Sequence, residues 1–199
     1  MNLILYNISW MGFNVFLALI PIVFGWLTLK TRQRFLCMVF VLIWLFFLPN
    51  TLYIFTDLRH IVHTWRGIGF FGKIGLVAQY AIYEIIGFSS FILALYPIEK
   101  KFLISRWRER NLLRAFLLVM ANFLIGFGMV LGLVLRMNSW DILVDTPKVM
   151  HASLQIFSSF ELMLLVLFFS VLANFLYFFF RKMLILKESP YVKKLYAKG

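Results

Sequence analysis

Apolar residues fall into five long runs along the chain, and the short stretches between them hold nearly all of the charge. Residues 1–29, 35–56 and 115–135 carry no Asp, Glu, Lys or Arg. Residues 74–98 carry only Glu84, and residues 151–180 only Glu161. A helix needs about 20 apolar residues to cross the hydrocarbon of a bilayer, and in lipid each backbone amide must be satisfied within its own segment. The pattern therefore predicts an all-α membrane protein, a bundle of five transmembrane helices, with spans at about 3–29, 35–56, 74–98, 115–135 and 153–180. A basic tail, 181–199, follows the last span. The short alternating segments of a membrane barrel are missing from the pattern. No repeat or linker interrupts it, so 1–199 reads as a single polytopic domain. The first run lacks a basic start and a small-x-small cleavage site before Lys30, so it reads as a retained helix with Pro21 as a candidate kink.

Composition agrees. Of 199 residues, 63% are hydrophobic and 14% charged, with a mean hydropathy of +0.90. Soluble domains are roughly half apolar and about a quarter charged. The net charge of +12 would suggest nucleic acid on a soluble fold, but here the basic residues lie between spans, where they set orientation. Fifteen Lys and Arg fall on one side of the five spans and five on the other. That asymmetry predicts a multi-pass protein of the cell membrane, with an extracytoplasmic N-terminus and a cytoplasmic C-terminus. Trp10, Trp65 and Trp140 then sit near the outer face and Trp26 and Trp107 near the inner one, with Trp44 left in mid-span. The bilayer is the expected partner, with anionic lipid at the basic inner loop 99–114 and the tail, and no nucleic acid. The single cysteine, Cys37, excludes an internal disulfide and reads as a small buried hydrophobe.

The non-basic polar residues gather toward the outer side. Asn7 and Asn14 lie in the first span; Asn50, Tyr53, Thr56 and Asp57 at the end of the second; Arg136, Asn138, Ser139, Asp141 and Asp145 after the fourth. Pro49 frees a carbonyl one turn earlier and bends the helix, and Asn50, Tyr53, Asp57 and His60 form a stripe rising from the membrane. Glu84 and Glu161 are expected about 15 Å deep, at 1.5 Å per residue. An acid in mid-membrane costs roughly 2.5–3.5 kcal/mol unless paired or wet, so either a site or an internal polar lock is implied. Arg136 follows 21 uncharged residues, so its guanidinium is expected to pair with a carboxylate or a phosphate. Asp57, His60 and His63 have ligand-like spacing, yet interfacial histidines bonding headgroups are commoner, and no metal or other cofactor is assigned. Gly128 and Gly132 form a G-x-x-x-G that admits close approach of another helix, more readily of this chain than of a second copy. Gly67, Gly69 and Gly72 match a dinucleotide motif, but no strand precedes them, and the segment reads as an interfacial turn.

The stretches PNTLYIFTDLRH (49–60) and RMNSWD (136–141) together resemble the domain-of-unknown-function 1361 family of uncharacterised bacterial integral membrane proteins. The resemblance covers most of the chain. It implies that Asn50, Tyr53, Asp57, His60, Arg136, Asn138 and Asp141 match the family's polar positions, and it implies no activity. Thr51 and Leu52 stand where that family often has a small residue and a proline.

The expected working part is an outward-facing polar pocket between spans two, three and four. In it Asp57, His60 and Glu84 are acid/base or ligand groups, while Asn50, Tyr53, Arg136, Asn138 and Asp141 bind a ligand. Three functions compete. The pocket could belong to a non-catalytic assembly or accessory protein. It could belong to an enzyme acting at the outer leaflet on a lipid-linked or amphiphilic substrate, with His60 and Asp57 as general base. Or it could belong to a small proton-coupled transporter component using Glu84, against which the lack of an inverted repeat weighs.

Overall fold

The structure, a computed structural model, describes residues 3–65, 68–104 and 111–186. Among these there is no strand. The helices are α1 (Leu3–Lys30), α2 (Arg34–Phe47), α3 (Asn50–Thr56), α4 (Arg59–Trp65), α5 (Phe70–Ile98), α6 (Asn111–Leu133), α7 (Asp141–Val144), α8 (Thr146–Ser158) and α9 (Phe160–Leu186). A π-helical turn, Glu99–Ile104, continues α5.

Four helical stretches are long and apolar enough to cross a membrane: Asn7–Lys30, Arg34–Val62, Phe70–Lys101 and Phe160–Phe180. The fifth helix of the bundle is α6, whose 23 residues reach about 34 Å at 1.5 Å per residue. Its described apolar stretch is Leu118–Leu133. The chain is thus an all-α membrane bundle. Large apolar side chains such as Phe16, Ile82, Phe168 and Val171 cover its outside, where lipid rather than water suits them.

Helix packing makes two groups. In one, α1 lies against α2 and α5; in the other, α6 lies against α9. The short α3 touches α1, α5 and α6 and joins them. The largest core cluster, around Trp44, Leu48, Phe91, Leu95, Met129 and Tyr177, spans both groups. Trp44, unplaced by the aromatic-belt pattern, is buried and donates its indole N–H to the Ala94 carbonyl at 2.8 Å. The α6–α9 contact carries a polar clamp in which Asn122 Nδ2 donates to Asn174 Oδ1 at 2.9 Å, a pair worth roughly 0.6 kcal/mol on average in membranes.

The helix is interrupted at Pro49: α2 ends at Phe47 and α3 begins at Asn50. Proline cannot donate to the Leu45 carbonyl, and backbone bonding continues with Thr51 N–H to Leu48 O at 3.1 Å and Leu52 N–H to Pro49 O at 3.0 Å. Polar side chains repair the break. Asn50 Nδ2 donates to Phe47 O at 3.0 Å and Thr51 Oγ1 to Leu48 O at 2.8 Å. That repair is what an interrupted helix in lipid requires.

The run 151–180, read above within one span, is divided. Ser159 is extended (φ −104°, ψ 117°) and separates α8 from α9. Glu161 is therefore exposed in the first turn of α9 rather than deep within a helix. An acid there is favoured by the helix dipole.

At the end of the bundle remote from Asp57, Lys101 Nζ donates to the carbonyls of Thr28 and Thr31, closing the last turn of α1. Beside it Glu99 is buried and accepts from the Tyr177 hydroxyl. Nothing in the basic pattern of residues 99–114 signals this tie.

Candidate functional site

A cavity of about 370 Å³ opens at the Asp57 end of the bundle. Its walls are Asn14 and Leu17 of α1, Asn50, Tyr53 and Thr56 of α3, Asp57 and Arg59 just beyond, and the end of α6 through Trp140. Each wall has a local cause. The interruption at Pro49 starts α3, which lies against α1, α5 and α6, and the residues after α6 form a tight turn. In that turn Arg136 is left-handed (φ 54°), a region that few residues other than glycine adopt. The Met137 N–H returns to Leu131 O at 3.0 Å. Asp141 Oδ2 accepts from the Asn138 backbone N–H at 2.8 Å.

Asp57 is held from two sides. Its Oδ2 accepts from Asn14 Nδ2 of α1 at 3.0 Å and from the Tyr83 hydroxyl of α5 at 2.7 Å. Asn50 Nδ2 also reaches Ser139 Oγ at 3.0 Å, fastening the turn to α3. The Tyr53 hydroxyl donates to Gly128 O at 2.7 Å. The G-x-x-x-G motif finds its partner here, within the chain. A Cβ on Gly128 would overlap Pro49, and one on Gly132 would overlap the Tyr53 ring.

A family described as a protein of unknown function, DUF1361, matches residues 13–176. The chain belongs to this family. No curated protein and no solved structure matches it. Every wall of the cavity in this DUF1361 protein, from Phe13 to Trp140, lies within the matched residues.

Of the expected site residues, Asn50, Tyr53, Asp57, Arg136 and Asn138 meet at the cavity. Asp141 supports the turn without lining it. His60 and Glu84 do not line it either. The His60 ring packs against Trp10 with centroids 5.5 Å apart, and Arg59 takes the place at the wall that the stripe had given to His60. Glu84 is on α5, and both of its carboxyl oxygens are shielded without a hydrogen-bond partner among the described residues. The pocket expected between spans two, three and four is thus bounded by one, two and four: α1 replaces α5 as a wall, and α5 contributes through Tyr83. Arg136 is exposed at the rim and, among the described residues, makes no ion pair with a carboxylate. The side chain of His63 lies outside the described residues. Among them no three His, Cys, Asp or Glu side chains form a metal-holding group.

Sequence reasoning missed Arg59 and Thr56 as wall residues and Tyr83 as a positioning residue. Asn14 was the available signal. An amide inside an uncharged span needs a partner from another helix, and Asp57 is that partner.

Proposed function

We propose that this protein is a multi-pass, non-catalytic ligand-binding or accessory protein whose polar cavity takes up a phosphate or carboxylate group on the extracytoplasmic side, with Arg136 as the principal clamp. The observation that carries the reading is Arg136 itself. A left-handed arginine costs about 1–2 kcal/mol, and such strain concentrates at functional sites. Here it aims an unpaired guanidinium at a cavity that Arg59, Asn14, Asn50 and Ser139 also line. Arginine binds planar or tetrahedral oxyanions through two parallel donors. The binding role is favoured over an enzyme because neither His60 nor Glu84, the acid/base groups expected beside Asp57, lines the cavity.

Inorganic phosphate is the test ligand. Added to the purified protein, it should raise the thermal midpoint with concentration, as any ligand of the folded state does. Arg136→Gly should abolish that rise while making the phosphate-free protein more stable by about 1 kcal/mol, through relief of the backbone. An undiminished phosphate response in Arg136→Gly would refute the clamp. For orientation, in a Cys37→Ser background Asp145→Cys should react with an impermeant thiol reagent on intact cells and Ser105→Cys should not; the opposite pattern would place the cavity on the cytoplasmic side.

A further inference from the structure

Next to the polar cavity lies a second, apolar one of about 230 Å³, walled by Leu45, Phe46, Leu124, Phe127, Leu131 and Ile142. The two share Tyr53, Met137, Asn138 and Ser139 as walls, so they are neighbours across one partition. Its volume is below the roughly 300 Å³ at which whole small-molecule sites begin, which fits one part of a larger site. It opens sideways: Leu124, in its wall, is 48% exposed on the outside of the bundle.

The helix beside the groove says what lies outside it. On α8, Val149 and Ser153 face the groove, and Ala152 and Ile156 are buried. Met150, Leu154 and Phe157 form an exposed apolar stripe. Lys148, His151 and Gln155 form an exposed polar stripe. At 100° per residue these are three separate faces. One packs on protein, one suits hydrocarbon and one suits headgroups and water, as on a helix lying in a membrane interface.

We propose that the ligand is an anionic amphiphile and that the apolar groove holds a hydrocarbon chain of it, entering from the bilayer beneath α8 while its head reaches Arg136. This inference rests on the anion-binding reading of the polar cavity. The groove adds little hydrophobic affinity, because lipid tails are as apolar as its walls. Its effect is placement. A chain in the groove brings the head to the Tyr53–Ser139 partition, and confinement to the bilayer raises the head's effective concentration there.

The test uses the full chain in phosphatidylcholine nanodiscs and a dodecyl phosphate with a photoreactive diazirine near the chain end. Crosslinks should map to Leu124, Leu131, Ile142 and Val149, and excess unlabelled dodecyl phosphate should reduce them by about tenfold or more. Val149→Trp should exclude the chain, and Ile142→Trp serves as a second block should the first not fold. Labelling spread over lipid-facing residues such as Ile82, Ile85 and Phe168, or labelling that persists in a folded blocked variant, would overturn the inference. The cavity reading still stands if inorganic phosphate then binds in an Arg136-dependent way. Conversely, dodecanol carrying the same diazirine and labelling the groove as well as the dodecyl phosphate does would remove the anionic head from the proposal, while the phosphate response of Arg136→Gly decides the clamp separately.

Discussion

Replacing Gly132 with alanine tests the contact on which the cavity's shape depends. A Cβ at Gly132 overlaps the hydroxyl and Cζ of Tyr53 and lies 3.2 Å from its Cε1. The ring has little freedom to retreat, because its hydroxyl is bonded to Gly128 O at 2.7 Å and its faces wall both cavities. Overpacking of this kind costs about 1–3 kcal/mol. Loss of the hydrogen bond, with a buried donor left unmet, costs about 1–3 kcal/mol more. Alanine recovers up to about 1 kcal/mol of helix propensity, less in a last turn. The net is a loss of about 3 kcal/mol, readable as a shift in the unfolding midpoint of the purified protein in mixed micelles. A double-mutant cycle isolates the contact. In a Tyr53→Ala background the same Gly132→Ala change should be neutral or mildly stabilising, giving a coupling of about 3–4 kcal/mol. Gly12→Ala is the control, since nothing lies within 4 Å of its added Cβ. Equal cost in both backgrounds would show that Gly132 is needed for something other than Tyr53.

Two further substitutions separate the roles of the acids. Asp57→Asn keeps the shape of the group that accepts from Asn14 and Tyr83, so the protein should remain folded. Removing a negative charge from a cavity that binds anions should tighten phosphate by on the order of 1 kcal/mol, about fivefold; weaker phosphate binding in a titration would instead make the carboxylate a ligand contact. Glu84→Leu removes two shielded oxygens without partners and should stabilise the fold by about 1–3 kcal/mol with phosphate binding unchanged. A destabilised Glu84→Leu protein would mean that the carboxyl has a partner the described residues do not supply.

The bundle was legible because lipid applies one rule to every span: uncharged, apolar and long. Its lapse at 151–180 has a specific cause. A scan for charge does not register Gln155, Ser158 and Ser159, yet Lys148, His151 and Gln155 at helical spacing mark an interfacial face that a span would not carry. The site was legible where helical spacing and bends govern it. Asn50 and Tyr53 follow from Pro49, and Arg136 from the end of an uncharged run. Glu84 shows the limit of reading depth without direction. Tyr83 reaches Asp57, whereas Glu84, the next residue on α5, is turned by 100° and stays off the cavity wall. His60 was lost for a related reason. The turn at residues 57–58 starts a new helix at Arg59 and ends the register of the stripe.

The seven residues of α3 explain why a cavity exists at this end of the bundle. Asp57 beyond its last turn is tied to α1 and α5, whereas Asn50 and Tyr53 earlier in it are tied to Ser139 and Gly128 on the α6 side. Pro49, seated against Gly128, separates α2 from α3, and α3 lies in contact with α1, α5 and α6. The proline breaks the backbone ladder, and the side chains of Asn50 and Thr51 offset the break. The same short stretch therefore breaks the span, mends the break and lines the cavity. A ligand held between Arg136 and α3 would add a further tie between the α6–α9 pair and the α1–α5 pair at the end of the bundle where α3 already contacts both.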